Sequence, residues 1–186
     1  MEQLQLKSKI RNLRRKNALH DSFIPQSLFY SVMTEHAIRG ALVNWSSYQR
    51  EEVVQKVFLR GKKIFGILLL LGHTALLSKF VEADQLDTKL PFTAETLTHD
   101  IQLSNEEAED FEERQWEFIA PTFCRGTLNR RLSDSAVLPF TQDKLIGKGA
   151  FGTVYETVLD PGHQGLDTTF PEKVLSSSPY AKFTRY

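Results

Sequence analysis

The chain has 186 residues, a formal net charge of zero and a hydrophobic fraction of 41%. That length suits one domain, or one small domain with a piece of another, and is enough to bury a core; the balanced charge gives no sign of a specific nucleic-acid partner. The lone cysteine, Cys124, excludes an internal disulfide framework and suits a reducing setting, so an intracellular protein of cytoplasm or nucleus is expected.

Residues 1–20 form a basic N-terminal segment. Lys7, Lys9, Arg11, Arg14, Arg15 and Lys16 stand against Glu2, with Leu4, Leu6, Ile10 and Leu13 interleaved. The pattern allows a basic amphipathic helix, and the plain expectation is a solvated charged segment. Nuclear import, acidic lipid or RNA contact are the alternatives that such charge permits. No apolar signal core follows the charges, so secretion is not expected.

Residues 21–120 read as a helical region. Phe23, Leu28, Phe29, Val32, Met33, Ile38, Leu42 and Val43 recur at helical intervals, and Pro25 and Gly40 leave one helix or two equally tenable. Val53, Val54, Val57 and Phe58 mark one face of a helix over Arg50 to Arg60. The run from Ile64 to Phe80 is the most hydrophobic part of the chain and the expected core. It falls short of the ~20 apolar residues that span a bilayer and is interrupted by Gly66, Gly72, His73 and Thr74, so no membrane span is expected. His73 has no second ligand at metal-binding spacing and reads as a core histidine. Leu86 to His99 looks turn-like around Pro91.

Ser104 and Glu107 have the spacing of a capping box, which fixes the start of a further helix. Glu106, Glu107, Glu109, Asp110, Glu112 and Glu113 follow, a solvated face by default. Phe111, Trp116 and Phe118 are placed to anchor that helix to the core or to a protein partner, and Pro121 forces an end nearby. Residues 121–137, with Arg125, Arg130, Arg131 and Ser133 to Ser135, read as an exposed connector.

The most informative stretch is Leu145 to Val158. Gly147, Gly149 and Gly152 make a GxGxxG and Val154 completes GxGxxGxV. Glycine at such positions lets backbone amides approach another group closely, and successive amides can cradle phosphate oxygens. A dinucleotide-binding loop would open a helix here, and a Walker A loop would need Lys-Ser or Lys-Thr after its last glycine. Instead Thr153 to Leu159 is β-branched or aromatic at most positions and is stopped by Asp160-Pro161-Gly162, the pattern of a strand and a turn.

Strand, glycine loop and strand is the arrangement that folds over the nucleotide in protein kinases. The segment Ile146 to Val154 resembles the glycine-rich loop of that family, and the resemblance runs from about Leu138 to Leu159. The resemblance implies an ATP site, with Mg-ATP as ligand, formed by Ile146, Gly147, Lys148, Gly149, Ala150, Phe151, Gly152, Thr153 and Val154. Ile146 and Val154 would cover the adenine, the three glycines would admit the phosphates, and Phe151 would sit at the tip. The fold class expected is then α+β: a mainly α-helical N-terminal region followed, over 138–186, by a β-hairpin fragment of a kinase N-lobe. The helical extension is of a sort associated with serine/threonine kinase-like proteins of filamentous fungi.

Phosphoryl transfer in that family also needs a third-strand lysine, its glutamate partner, a catalytic aspartate and Mg²⁺ ligands. Lys173 follows Pro171 and Glu172, which do not suit a central strand, and Lys182 stands in Tyr180-Ala181-Lys182, the family context with one residue lost; neither is assigned. The chain contains no HRD or DFG segment. The expectation is a truncated kinase-family chain that binds ATP without being catalytically competent. The alternative is a non-catalytic helical protein-interaction module carrying a kinase remnant.

Overall fold

The structure, a computed structural model, describes residues 2–45, 47–124, 132–149, 152–165 and 180–185, with the backbone alone at 47–49, 149, 152–154 and 180–185. It is mixed α and β: a helical body comes first and small sheets follow. The helices are α1 (Glu2–Leu13), α2 (Gln26–Val32), α3 (Glu35–Ala41), α4 (Ser47–Arg60), α5 (Lys62–Leu71), α6 (Leu77–Glu82), α7 (Ala94–His99) and α8 (Asn105–Gln115). Short strands β1 (Arg15–Lys16) and β2 (Ser22–Phe23) form a small antiparallel ribbon between α1 and α2.

The core is built around α5. Ile64, Phe65, Gly66, Ile67, Leu68 and Leu69 are all buried, because this helix is covered by α1, α4, α6 and α8. A helix apolar on every side is what a central position demands. Its end is set by Gly72, whose φ of 89° is left-handed and whose N–H bonds back to the Leu68 carbonyl at 2.9 Å. The apolar run expected from Ile64 to Phe80 is therefore divided into α5, a short 3₁₀ turn at Thr74–Leu76 and α6. No helix among the described residues is long and apolar enough to cross a membrane.

The start of α5 is capped from elsewhere in the chain. Gly61 offers no side chain, and the Asp87 carboxylate accepts the N–H groups of Lys63 and Ile64, each at 3.0 Å. This satisfies two of the donors that a helix leaves open at its N-terminus. Gln115, fully buried, does similar work for the turn after the cis Leu90–Pro91 bond: its amide donates to the Phe92 carbonyl at 2.7 Å and accepts the Phe92 N–H at 2.8 Å. Phe80 and Phe111 stack at 5.0 Å, with Phe92 edge-on to both.

Several local expectations need correction. Leu86 to His99 contains α7, opened by a Thr93 side chain that accepts the Thr96 N–H. Ser22 to Trp45, for which one helix and two are equally tenable from the sequence, holds two, separated where Thr34 caps α3. His73 is half-buried at the end of α5 rather than in the core. The basic N-terminus is not a free solvated segment: Leu6 and Ile10 of α1 are buried against the helical body while its lysines face outward. Ser104 and Glu107 form both halves of the capping box at the head of α8, as their spacing indicates.

Gly66 sits where α5 meets two rings. A Cβ there would come within 2.7 Å of Phe118 and 2.9 Å of Phe29. Helix propensity alone favours Gly→Ala by about 1 kcal/mol, whereas overpacking costs about 1–3 kcal/mol. Packing should win, so Gly66→Ala is expected to lower the free energy of unfolding by about 1–2 kcal/mol in a denaturant titration; an unchanged or raised midpoint would show the two rings to be movable.

Candidate functional site

The glycine stretch lies at the end of a β-hairpin. Strands β4 (Phe140–Gly149) and β5 (Gly152–Leu159) pair antiparallel, the register running from Phe140 opposite Leu159 to Gly149 opposite Gly152. β-branched residues on β5 suit an extended backbone, and Asp160 stops it by accepting the Gly162 N–H at 2.8 Å in a short 3₁₀ turn. A third strand, β7 (Tyr180–Arg185), pairs antiparallel with the other edge of β5, so the order is β4-β5-β7. A two-stranded hairpin is marginal in water, and the third strand removes one free edge.

The register slips between Leu145 and Gly147, leaving Ile146 as the extra residue of a bulge. Bulges re-aim side chains next to sites. Leu145 is 56% and Ile146 47% exposed, an open apolar surface at the glycine end of the sheet. Gly147 stands opposite Val154 and Lys148 opposite Thr153, and the Lys148 side chain is exposed. Gly147 has no left-handed φ, and a Cβ built on it would meet nothing within 4 Å. The fold itself thus supplies no steric reason for glycine at 147. Of the other expected site residues, Gly149, Gly152, Thr153 and Val154 are strand residues by backbone, whereas Ala150 and Phe151 lie outside the described residues, as does Lys173. Lys182 stands on β7 opposite Glu156, two ladder positions from Val154.

The far end of the hairpin is fastened to the helical body, which sequence reading did not foresee. The Ala18 N–H donates to the Phe140 carbonyl at 2.7 Å, and the Asn17 side-chain amide donates to the Leu138 carbonyl at 3.1 Å. Arg15 reaches the carboxylate of Asp160 at 2.5 Å. Phe123 stacks on Phe140 at 5.5 Å beside Leu159 and Leu138 in a small apolar cluster. The connector over 121–137 is accordingly not exposed throughout: Phe123 is buried, and β3 (Phe123–Cys124) pairs in parallel with β6 (Gln164–Gly165), the strand that follows the Asp160 turn. Residues 125–131 lie outside the described residues.

His163 is buried in this joint, edge-on to Phe23 at 5.5 Å. Neither ring nitrogen has a hydrogen bond of good geometry. Burial is the main cause that pushes the imidazole below its ordinary range; the Asp160 carboxylate and the backbone at Ile24 and Pro121 oppose this, and Lys63 adds to it. A carboxylate at hand and a histidine that stays neutral in the fold make an acid-sensitive joint.

The remaining candidates resolve into structure. Among the acids of α8, Glu107 serves the capping box and Glu112 accepts the Ala94 N–H at 2.7 Å, while Glu106, Glu109, Asp110 and Glu113 are exposed. Among the described residues no His, Cys, Asp and Glu side chains gather as a metal centre. Phe111 and Phe118 are buried in the core, so those two anchors serve the fold. No family model, no curated protein and no solved structure matches the chain.

The depressed histidine gives stability that is present above about pH 6.5 and is lost as pH falls from there through its lowered value, because the unfolded chain takes up the proton first. Melting temperatures should therefore fall further in the parent protein than in His163→Leu between about pH 7.5 and about pH 5.5. Parallel declines in both would mean that the ring carries its proton at no cost in the fold.

Proposed function

We propose that the β4-β5-β7 sheet is a nucleotide lid of the protein-kinase type, probed most directly as an Mg-ATP binding surface. The single observation that carries this reading is Gly147: a glycine in a GxGxxGxV, in extended conformation, with open space where a Cβ would stand. Glycine there weakens a strand by its flexibility. Its use is to let the backbone come close to a group outside the fold, and a triphosphate is the group that inward amides can hold. The exposed apolar pair Leu145 and Ile146 at the bulge suits contact with a purine face.

Lys182 takes the place of the family's third-strand lysine in this reading. It is on the strand next to β5 and in the sequence Tyr180-Ala181-Lys182, whereas Lys173 lies outside the described residues. Its role is to draw the α- and β-phosphates toward the sheet. ATP, when bound, supplies the phosphates with their Mg²⁺, and these residues bind and orient it. The 186 residues hold no HRD or DFG segment, so the activity proposed for them is nucleotide binding of the serine/threonine-kinase type. One face of the ligand is enclosed, and affinity well weaker than micromolar follows.

Calorimetric titration with Mg-ATP tests this. Gly147→Val should weaken binding by about tenfold or more, since two methyl groups fill the space the phosphates need, with the fold intact because that space is open. Lys182→Ala should weaken ATP while leaving adenosine, which has no phosphate, nearly unchanged. Equal affinity of the parent and Gly147→Val would count against the lid; equal loss of ATP and adenosine in Lys182→Ala would remove that lysine from the phosphates.

A further inference from the structure

A cleft of about 600 Å³ is bounded by Lys63 at the head of α5, by Leu90 and Pro91, and by Trp116, Ile119 and Cys124 after α8. Its size falls within the ~300–1,000 Å³ typical of small-ligand sites. Leu90, Pro91, Trp116 and Ile119 give it an apolar wall with one flat ring. The cation that lines it among the described residues is Lys63, half-buried and in no ion pair with any described residue. Asp87 is the opposite charge that acts on it, and that carboxylate is engaged by the backbone N–H groups of Lys63 and Ile64.

We propose that this cleft binds a small, flat, apolar molecule bearing one carboxylate, which the Lys63 ammonium holds while Trp116 and Ile119 cover its ring. A buried ammonium is costly unless a counter-charge and hydrogen bonds reach it. A monocarboxylate supplies both. Among the described residues Lys63 is the one cation that lines the cleft, with Asp87 behind it, which matches a single negative charge. Burial also pushes the Lys63 amine below its ordinary range, with Asp87 opposing.

The test is isothermal titration of the full chain with 1-naphthoate and with its uncharged counterpart 1-naphthamide. Saturable binding at one site is expected, with the acid about tenfold or more tighter than the amide. Lys63→Met should bring the acid down to the affinity of the amide, and Lys63→Arg should keep the preference, both with the helical circular dichroism of the parent. Absence of saturable binding to the parent overturns the proposal, as does equal affinity for acid and amide. The amide comparison needs no variant, so it stands even if a substitution disturbs the fold.

Discussion

Asp160 has none of its side chain exposed, and the guanidinium that reaches it belongs to Arg15, 145 positions earlier in the chain. A buried carboxylate without a partner is strongly destabilising. The helical body and the glycine-bearing sheet are therefore joined by a constraint neither satisfies alone. Around it gather the Ala18 and Asn17 bonds to the start of β4, the parallel pairing of β3 with β6, and the stack of Phe123 on Phe140. All hold the hairpin by its base. The opposite end, with Leu145, Ile146 and Gly147, is left open. A sheet held at one end and open at the other is a lid-shaped part, and the functional reading depends on that polarity.

How much of this was legible in the sequence follows from the range of the interactions. The capping box at Ser104 and Glu107, the helical face of Val53, Val54 and Val57, and the strand and turn from Thr153 to Gly162 are set by neighbours within a few residues, and they appear where the residues indicate. α7 escaped notice because Pro91 dominated the reading, although Thr93 three residues before Thr96 was a cap signal of the same kind. The basic N-terminus was read by charge count. Its two fully covered apolar residues, Leu6 and Ile10, decide its place instead, and they are one turn apart.

The candidate site divides the same way. The glycines and their flanking strand residues were visible as a pattern. That Gly147 is sterically unnecessary to the fold was not, because it depends on what lies beyond the chain's own neighbours. Lys182 could not be told from Lys173 by spacing; the structure puts Lys182 on β7 beside β5, and Lys173 lies outside the described residues. Asp160 reads only as part of a turn and His163 carries no local signal, since Arg15 and Phe23, which give them their surroundings, lie far off in sequence. The cleft at Lys63 likewise needs Leu90, Trp116 and Cys124 brought together by three separate segments.

The central claim is that the backbone around Gly147 faces a nucleotide's phosphates, and amide chemical shifts report on that backbone directly. In ¹⁵N-labelled protein, Mg-ATP should move the amides from Ile146 to Val154 together with that of Lys182, while Mg²⁺ with adenosine leaves Gly147 and Gly149 in place. Shifts scattered over the helical body, or none in the glycine segment at saturating nucleotide, would contradict it.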